Sequence, residues 1–322
     1  SHPGRRVIAI SSNKGGVGKT TVATNLAIYL RALYEELPML LVALDDQSAI
    51  ERMFRLQPST GEEGNLKHGW AERSLDRVIQ LGQYGIHFVP PPPDTGPLKT
   101  RASDPKTLRR ILEQTDFDGV VIVDTKSDLE ALTQNALHAA DLVILPVADW
   151  GSLEEAAKVF ELLERAQLRR VKRRILLTLV DRRTRVDADG SVLYDRLSGA
   201  NDARDWPRFE NYLSRSPRVE ALLSASEAPG SILHGARGTQ VHGQLRGLAE
   251  EVAKDLDLFG HASLFQLTCL AHTPRGIATL ADWILEPSTT EEIQQRQNAV
   301  QELVEARELR EELSLRNHLL AK

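Results

Sequence analysis

The segment RRVIAISSNKGGVGKTTVATNLAIYL, residues 5–30, constrains the fold more than any other part of the chain. It opens on a short β-branched run. A glycine-rich loop follows and ends in Gly-Lys-Thr. Apolar residues then return at helical spacing. A strand, loop and helix in that order bring backbone N–H groups together at a helix start, where they converge on phosphate oxygens and the helix dipole adds positive potential. Gly15, Gly16 and Gly18, with Val17 among them, let the backbone close round a β-phosphate. Lys19 is placed to reach the β- and γ-phosphates. The Thr20 hydroxyl is placed to ligand Mg²⁺, and Thr21 completes the phosphate-side set. Asn13 stands where the general pattern G-x-x-x-x-G-K-[ST] has its first glycine. Lys14, five residues before Lys19, is an additional lysine that one phosphate does not require.

The next apolar run, LPMLLVALDD (37–46), completes a strand–helix–strand unit of a parallel sheet. Further strands are expected at 86–90, 119–125, 141–147 and 174–180, each a near-continuous apolar run suited to a strand covered on both faces. Helical patterns at 104–114 and 152–167 separate several of them. The expected fold is α/β, a doubly wound, mostly parallel sheet, followed by a small all-helical C-terminal segment. The loop PPPPDTGP (90–97) is stiff and extended, and reads as a surface connection. Near residue 260 the pattern becomes helical, which divides the chain into an α/β domain, 5–258, and a helical segment, 263–322. Two overlapping capping pairs, Ser288 with Glu291 and Thr289 with Glu292, open a helix in that segment.

The charge balance narrows the partners. The 322 residues carry a net charge of −5, so a nucleic acid would have to meet a local basic patch. One cysteine, Cys269, forms neither an intrachain disulfide nor a multi-cysteine metal site. No run reaches the roughly 20 apolar residues of a bilayer span, and no signal peptide is visible. A cytoplasmic protein is the expectation. The opening Ser-His-Pro reads as a cleavage scar and is set aside.

The stretch KGGVGKTT (14–21) resembles the deviant Walker A motif of the ParA/MinD family of P-loop ATPases. The resemblance extends over roughly 5–258. It implies ATP and Mg²⁺ as cofactors. It also implies a role for Lys14 as the signature lysine, which crosses a homodimer interface to the phosphates on the other subunit. LLVALDDQ (40–47) resembles the family's Asp-x-Asp-Pro-Gln motif. Asp45 matches the aspartate that orients the attacking water, while Ala43 and Asp46 replace the first aspartate and the proline. VVIVDTKSD (120–128) resembles the Walker B strand, with Asp124 placed to hold Mg²⁺ through water. Lys126 and Ser127 stand where the family usually has two prolines. The segment SEAPGS (226–231) resembles the loop near the nucleotide base.

Family likeness also bears on partners. Arg215, Arg218 and Arg237 lie in segments resembling those through which ParA proteins hold DNA phosphates without sequence preference. The densest basic run, RAQLRRVKRR (165–174), reads instead as the end of a helix, where cations are favourable. The resemblance implies a ParB-like protein that stimulates hydrolysis. Residues 263–316 resemble a fragment of the core helical domain of the MutS mismatch-repair family, without that family's ATPase, clamp or mismatch-reading parts.

A partition-type switch is therefore the leading expectation. A MinD-like membrane switch would want a basic amphipathic tail, and this tail is rich in glutamate. A nucleotide-sensing scaffold acting through a protein partner is the other alternative. A single cysteine disfavours an iron–sulfur carrier. The absence of G-x-G-x-x-G disfavours a dinucleotide-binding oxidoreductase.

Overall fold

A computed structural model describes residues 5–45, 50, 53–54, 64–92, 94–186, 189–224, 230–258 and 294–295. The elements run β1 (Arg5–Ile10), α1 (Lys19–Leu33), β2 (Met39–Ala43), α2 (Leu66–Glu72), β3 (Gln80–Leu81), β4 (His87–Val89), α3 (Gly96–Arg101), α4 (Thr107–Gln114) and β5 (Gly119–Asp124). They continue with α5 (Ala131–Ala139), β6 (Leu142–Val147), α6 (Trp150–Arg165), β7 (Lys172–Leu177), β8 (Arg185–Val186), β9 (Ser191–Val192), α7 (Leu193–Ala203), α8 (Pro217–Leu223), α9 (Ile232–Gly235) and α10 (Gln240–Asp255). The chain divides into two compact units, residues 1–256 and 257–322. Cys269, the capping pairs near 288–292 and all of the MutS-like segment except residues 294–295 lie outside the described residues.

Seven strands form one sheet in the order β3-β4-β2-β5-β1-β6-β7. All neighbours are parallel except β3, which pairs antiparallel with β4. The three strands that read as unbroken apolar runs, β2, β5 and β6, are buried at every position. A parallel strand with helices on both faces has no solvent side, so alternation is lost. On one face Ala9, Val42, Val123 and Leu145 pack with α4, α5 and α6. On the other lies α1, buried without a break from Val22 to Leu30 because α10 covers its outer side. The Tyr29 hydroxyl and His242 Nδ1, 2.7 Å apart, tie those two helices together.

The basic run at 165–174 is not a helix end throughout. Helix α6 stops at Arg165, Gln167 takes a left-handed φ of 55°, and β7 already begins at Lys172. Arg174 pairs with Asp255, and Arg173 lies over the Phe160 ring. The outer edge of β7 is covered by residues 207–214, which run parallel to it through bridges at Ile175–Arg208 and Val180–Ser214. The order of the sheet sets where a site can form. Strands β2, β5, β1 and β6 are consecutive neighbours, so the chains leaving their carboxyl ends meet in one place.

Candidate active site

The phosphate loop joins β1 to α1. Gly16 and Gly18 have φ of 75° and 91°, a left-handed backbone that turns successive N–H groups inward and that a side chain would oppose. Gly18 is also the N-cap of α1. From the β7 side, Thr178 Oγ1 donates to Val17 O at 2.8 Å and fixes the middle of the loop.

Lys19 is 7% exposed and points inward. Its Nζ donates to Lys14 O at 3.1 Å and to Ser127 Oγ at 2.6 Å. Burial pulls its pKa down, and the charges of Asp124, Asp45 and Asp128 pull it back up. Thr20 Oγ1 donates to Asp124 Oδ2 at 2.7 Å. This joins the hydroxyl that opens α1 to the carboxylate that closes β5. Asp124 is fully buried, and burial raises its pKa to about 7. The Thr20 bond and Lys19 oppose that rise, and the charge of Asp45 adds to it. The other carboxylate oxygen, Oδ1, has no hydrogen-bond partner among the described residues.

A buried carboxylate oxygen without a donor fits a cation. No group of three or more His, Cys, Asp or Glu side chains that could hold a metal occurs among the described residues. One carboxylate and one hydroxyl suit Mg²⁺, which keeps its waters and takes the rest of its shell from phosphates. The residues present therefore fit Mg²⁺ bound together with a nucleoside triphosphate.

Lys14 points the other way. Its Nζ donates to both carboxylate oxygens of Asp149, at 2.8 and 2.7 Å. Asp149 is the N-cap of α6 and closes a capping box with Ser152. Burial works to raise the Asp149 carboxyl, but hydrogen bonds from Lys14 and Ser152 outweigh it and hold the group below its ordinary value. Asn13 adds a second tie, from its Nδ2 to Glu155 on the same helix. The space is close: a Cβ on Gly151 would lie 3.1 Å from Lys14 Nζ. Asp45, two residues beyond β2, lies with Oδ1 3.7 Å from Lys126 Nζ. Ala43 is in register with Asp124 and brings no carboxylate to it.

Residues 5–175 match the AAA domain family. The chromosome-partitioning ATPase Soj of Thermus thermophilus is 37% identical over 185 residues, covering 56% of this chain and 71% of that protein. The chromosome partitioning protein ParA of Caulobacter vibrioides is 31% identical over 193 residues, covering 55% and 71%. The chain belongs to the ParA/MinD family of P-loop ATPases. It is an ATP-hydrolysing enzyme. The fold agrees: the septum site-determining protein MinD of Pyrococcus horikoshii, complexed with Mg-ADP, superposes with a TM-score of 0.62 at 20% identity, over 78% of this chain and 96% of that one.

The residues expected of a ParA/MinD site fall into two groups. Gly15 to Thr21, Lys19, Asp45 and Asp124 converge at the carboxyl ends of β1, β2 and β5. Asp46 and residues 226–229 lie outside the described residues. The three arginines lie apart from the phosphate loop. Arg218 Nε donates to Gly235 O at 3.3 Å and Arg237 Nε to Leu233 O at 3.1 Å, so both bracket α9. Arg215 pairs with Glu220 at 2.9 Å on the adjacent α8. Helix α9 is itself tied to α1, because Ile232 N donates to Asn25 Oδ1 at 2.9 Å. Asp149, Thr178 and Asn25 have no motif to reveal them. Asp149 carries only the signal of a helix cap, an Asp three residues before Ser152.

Proposed function

We propose that this chain is a partition-type switch in which ATP closes a homodimer, the dimer holds DNA, and hydrolysis releases both. The orientation of the two lysines carries the reading. Lys19 is buried against its own loop, whereas the Lys14 side chain is 39% exposed and bound to a carboxylate of similar exposure. A lysine held at the surface of the phosphate loop can exchange that carboxylate for phosphates presented by a second subunit. Two nucleotide-bearing faces repel each other, and a cation offered from each side makes their association depend on ATP.

The chemistry follows from positioning and charge. Backbone N–H groups of Gly15, Gly16, Val17, Gly18, Lys19, Thr20 and Thr21 cradle the phosphates. Lys19 gives up Ser127 for phosphate oxygen. Thr20, and Asp124 through water, would hold Mg²⁺, and the ion would supply neutralising charge for phosphoryl transfer. Asp45 accepts a hydrogen bond from the attacking water and aligns it with the γ-phosphorus. Arg215, Arg218 and Arg237 contact DNA phosphates without reading sequence. A ParB-like protein stimulates hydrolysis. Residues 5–258 carry this activity, and the MutS-like helical segment, 263–322, is an appendage to it. The partitioning role is supported by the names of the relatives, a chromosome-partitioning ATPase and a chromosome partitioning protein.

Sedimentation velocity with ATP·Mg²⁺, with ADP·Mg²⁺ and without nucleotide tests this, each with and without random-sequence duplex DNA at two salt concentrations. A dimer formed with ATP alone, which takes up DNA and sheds it at high salt, is expected. An ATP dimer that ignores DNA overturns the arginine assignment. It would favour the alternative, a switch acting through a protein partner.

A further inference from the structure

The loop that leaves β5 makes two contacts that the family motifs do not prescribe. Strand β5 lies between β1 and β2, so residues 125–128 sit between the phosphate loop and Asp45. Ser127 faces the phosphate loop, where its Oγ accepts the hydrogen bond from Lys19 Nζ at 2.6 Å. Lys126 faces the other way, its Nζ 3.7 Å from Asp45 Oδ1. Both partners of that pair are only about one-fifth exposed, at 19% and 21%, so solvent screens them less than an open surface pair. Thr125 Oγ1 donates to Ile10 O at 2.9 Å and anchors the start of the loop to β1. Lys126 therefore projects from a fixed base.

We propose that Lys126 is a positioning residue for ATP hydrolysis: its ammonium holds the Asp45 carboxylate in the orientation from which it aligns the attacking water. The inference rests on the assignment of Asp45 made above. The Asp45 carboxylate, two residues beyond β2, turns about two side-chain torsions. Catalytic groups must be held to within about 0.5 Å and 10–20° to be effective. Asp45 is assigned only to orienting the water, and it keeps no proton in the step. The water oxygen bonds to the γ-phosphorus, and the bond to the β–γ bridging oxygen breaks. ADP leaves with that electron pair, and both water protons depart on the inorganic phosphate.

Single-turnover and steady-state ATPase assays on the full chain test the proposal, with Lys126→Ala, Lys126→Arg, Asp45→Ala and the Lys126→Ala/Asp45→Ala double variant. Lys126→Ala is expected to lower kcat about 10-fold, with KM for ATP moved less than about twofold, since a misplaced catalytic group costs rate rather than binding. Lys126→Arg restores most of the rate, because it keeps the charge. The double variant turns over no more slowly than Asp45→Ala alone, because Lys126 acts through Asp45. A Lys126→Ala protein as fast as or faster than the parent overturns the proposal. So does a loss that appears in KM, or one that multiplies with the loss from Asp45→Ala. If Asp45→Ala itself turns over at the parental rate, the Asp45 assignment falls and Lys126 falls with it. An impaired Asp45→Ala beside a normal Lys126→Ala removes Lys126 alone.

Discussion

The contact between Lys14 and Asp149 makes a quantitative prediction about dimerisation. In the proposed dimer each subunit must break that pair before its lysine can reach phosphates on a partner. The two side chains are 39% and 46% exposed, so the pair belongs with surface ion pairs and is worth about 0.2–1 kcal/mol. A dimer uses two such lysines, and the total held back is about 0.4–2 kcal/mol. Asp149→Asn separates this effect from folding. Asparagine caps a helix as well as aspartate does, so the bond to Ser152 N at 2.8 Å has a replacement acceptor while the charge on Lys14 loses its partner. The expected outcome is a dimer dissociation constant lowered about 2- to 30-fold with a non-hydrolysable ATP analogue and Mg²⁺. Sedimentation equilibrium measures it, and the gain should shrink as added salt screens the pair in the parent. Asp149→Ala is the control, expected to lose about 1 kcal/mol of stability with the cap, or roughly 2–4 °C in Tm. Asp149→Asn that dimerises as the parent does, or more weakly, with Tm unchanged, refutes the idea that Asp149 competes for Lys14.

Lys14→Ala should abolish ATP-driven dimerisation while the monomer still binds nucleotide in a filter or fluorescence titration, and a variant that dimerises normally removes Lys14 from the interface. Asp124 has a folded pKa near 7, raised by burial from 3.8. The nucleotide-free folded state therefore binds the extra proton between those values, and its stability falls as pH rises through that window. Asp124→Asn keeps an acceptor for Thr20 and removes the buried charge. It should stabilise the nucleotide-free protein by about 1–4 kcal/mol at pH 8 and far less at pH 4, each pKa unit being worth about 1.4 kcal/mol. It should also cost the Mg²⁺ dependence of nucleotide binding, and a stability gain of equal size at both pH values would contradict the raised pKa. Replacing Arg215, Arg218 and Arg237 by alanine should reduce the slope of log K against log salt for random-sequence DNA by about one for each phosphate no longer neutralised. An unchanged slope places the DNA surface elsewhere.

The features legible in the sequence are those that lie close together in the chain or form continuous apolar runs of strand length. The phosphate loop is one continuous stretch, so Lys19 and Thr20 are legible from their spacing. Asp124 is legible through the resemblance of VVIVDTKSD to a Walker B strand. Asp149 is not, since it lies 135 residues from Lys14 and nothing local marks it as more than a helix cap. The limits of β7 depart from expectation for a related reason. Lys172, Arg173 and Arg174 look like a helix tail by composition, but they begin a strand whose outer edge is covered by residues 207–214. That covering segment contains Pro207, which suits an outermost position and weakens any reading of it as a strand. Lys126 and Ser127 stand out as departures from the family pattern. Only the sheet order, with β5 between β1 and β2, shows that one faces Asp45 and the other Lys19.

The same geometry explains why one phosphate loop carries two lysines. They are not alternatives for one phosphate, because burial has already separated them. Lys19 is held inside the loop by a backbone carbonyl, and that carbonyl belongs to Lys14. The side chain of Lys14 is held outside, on α6, by Asp149. One residue thus fixes the inner lysine through its backbone and presents the outer charge through its side chain.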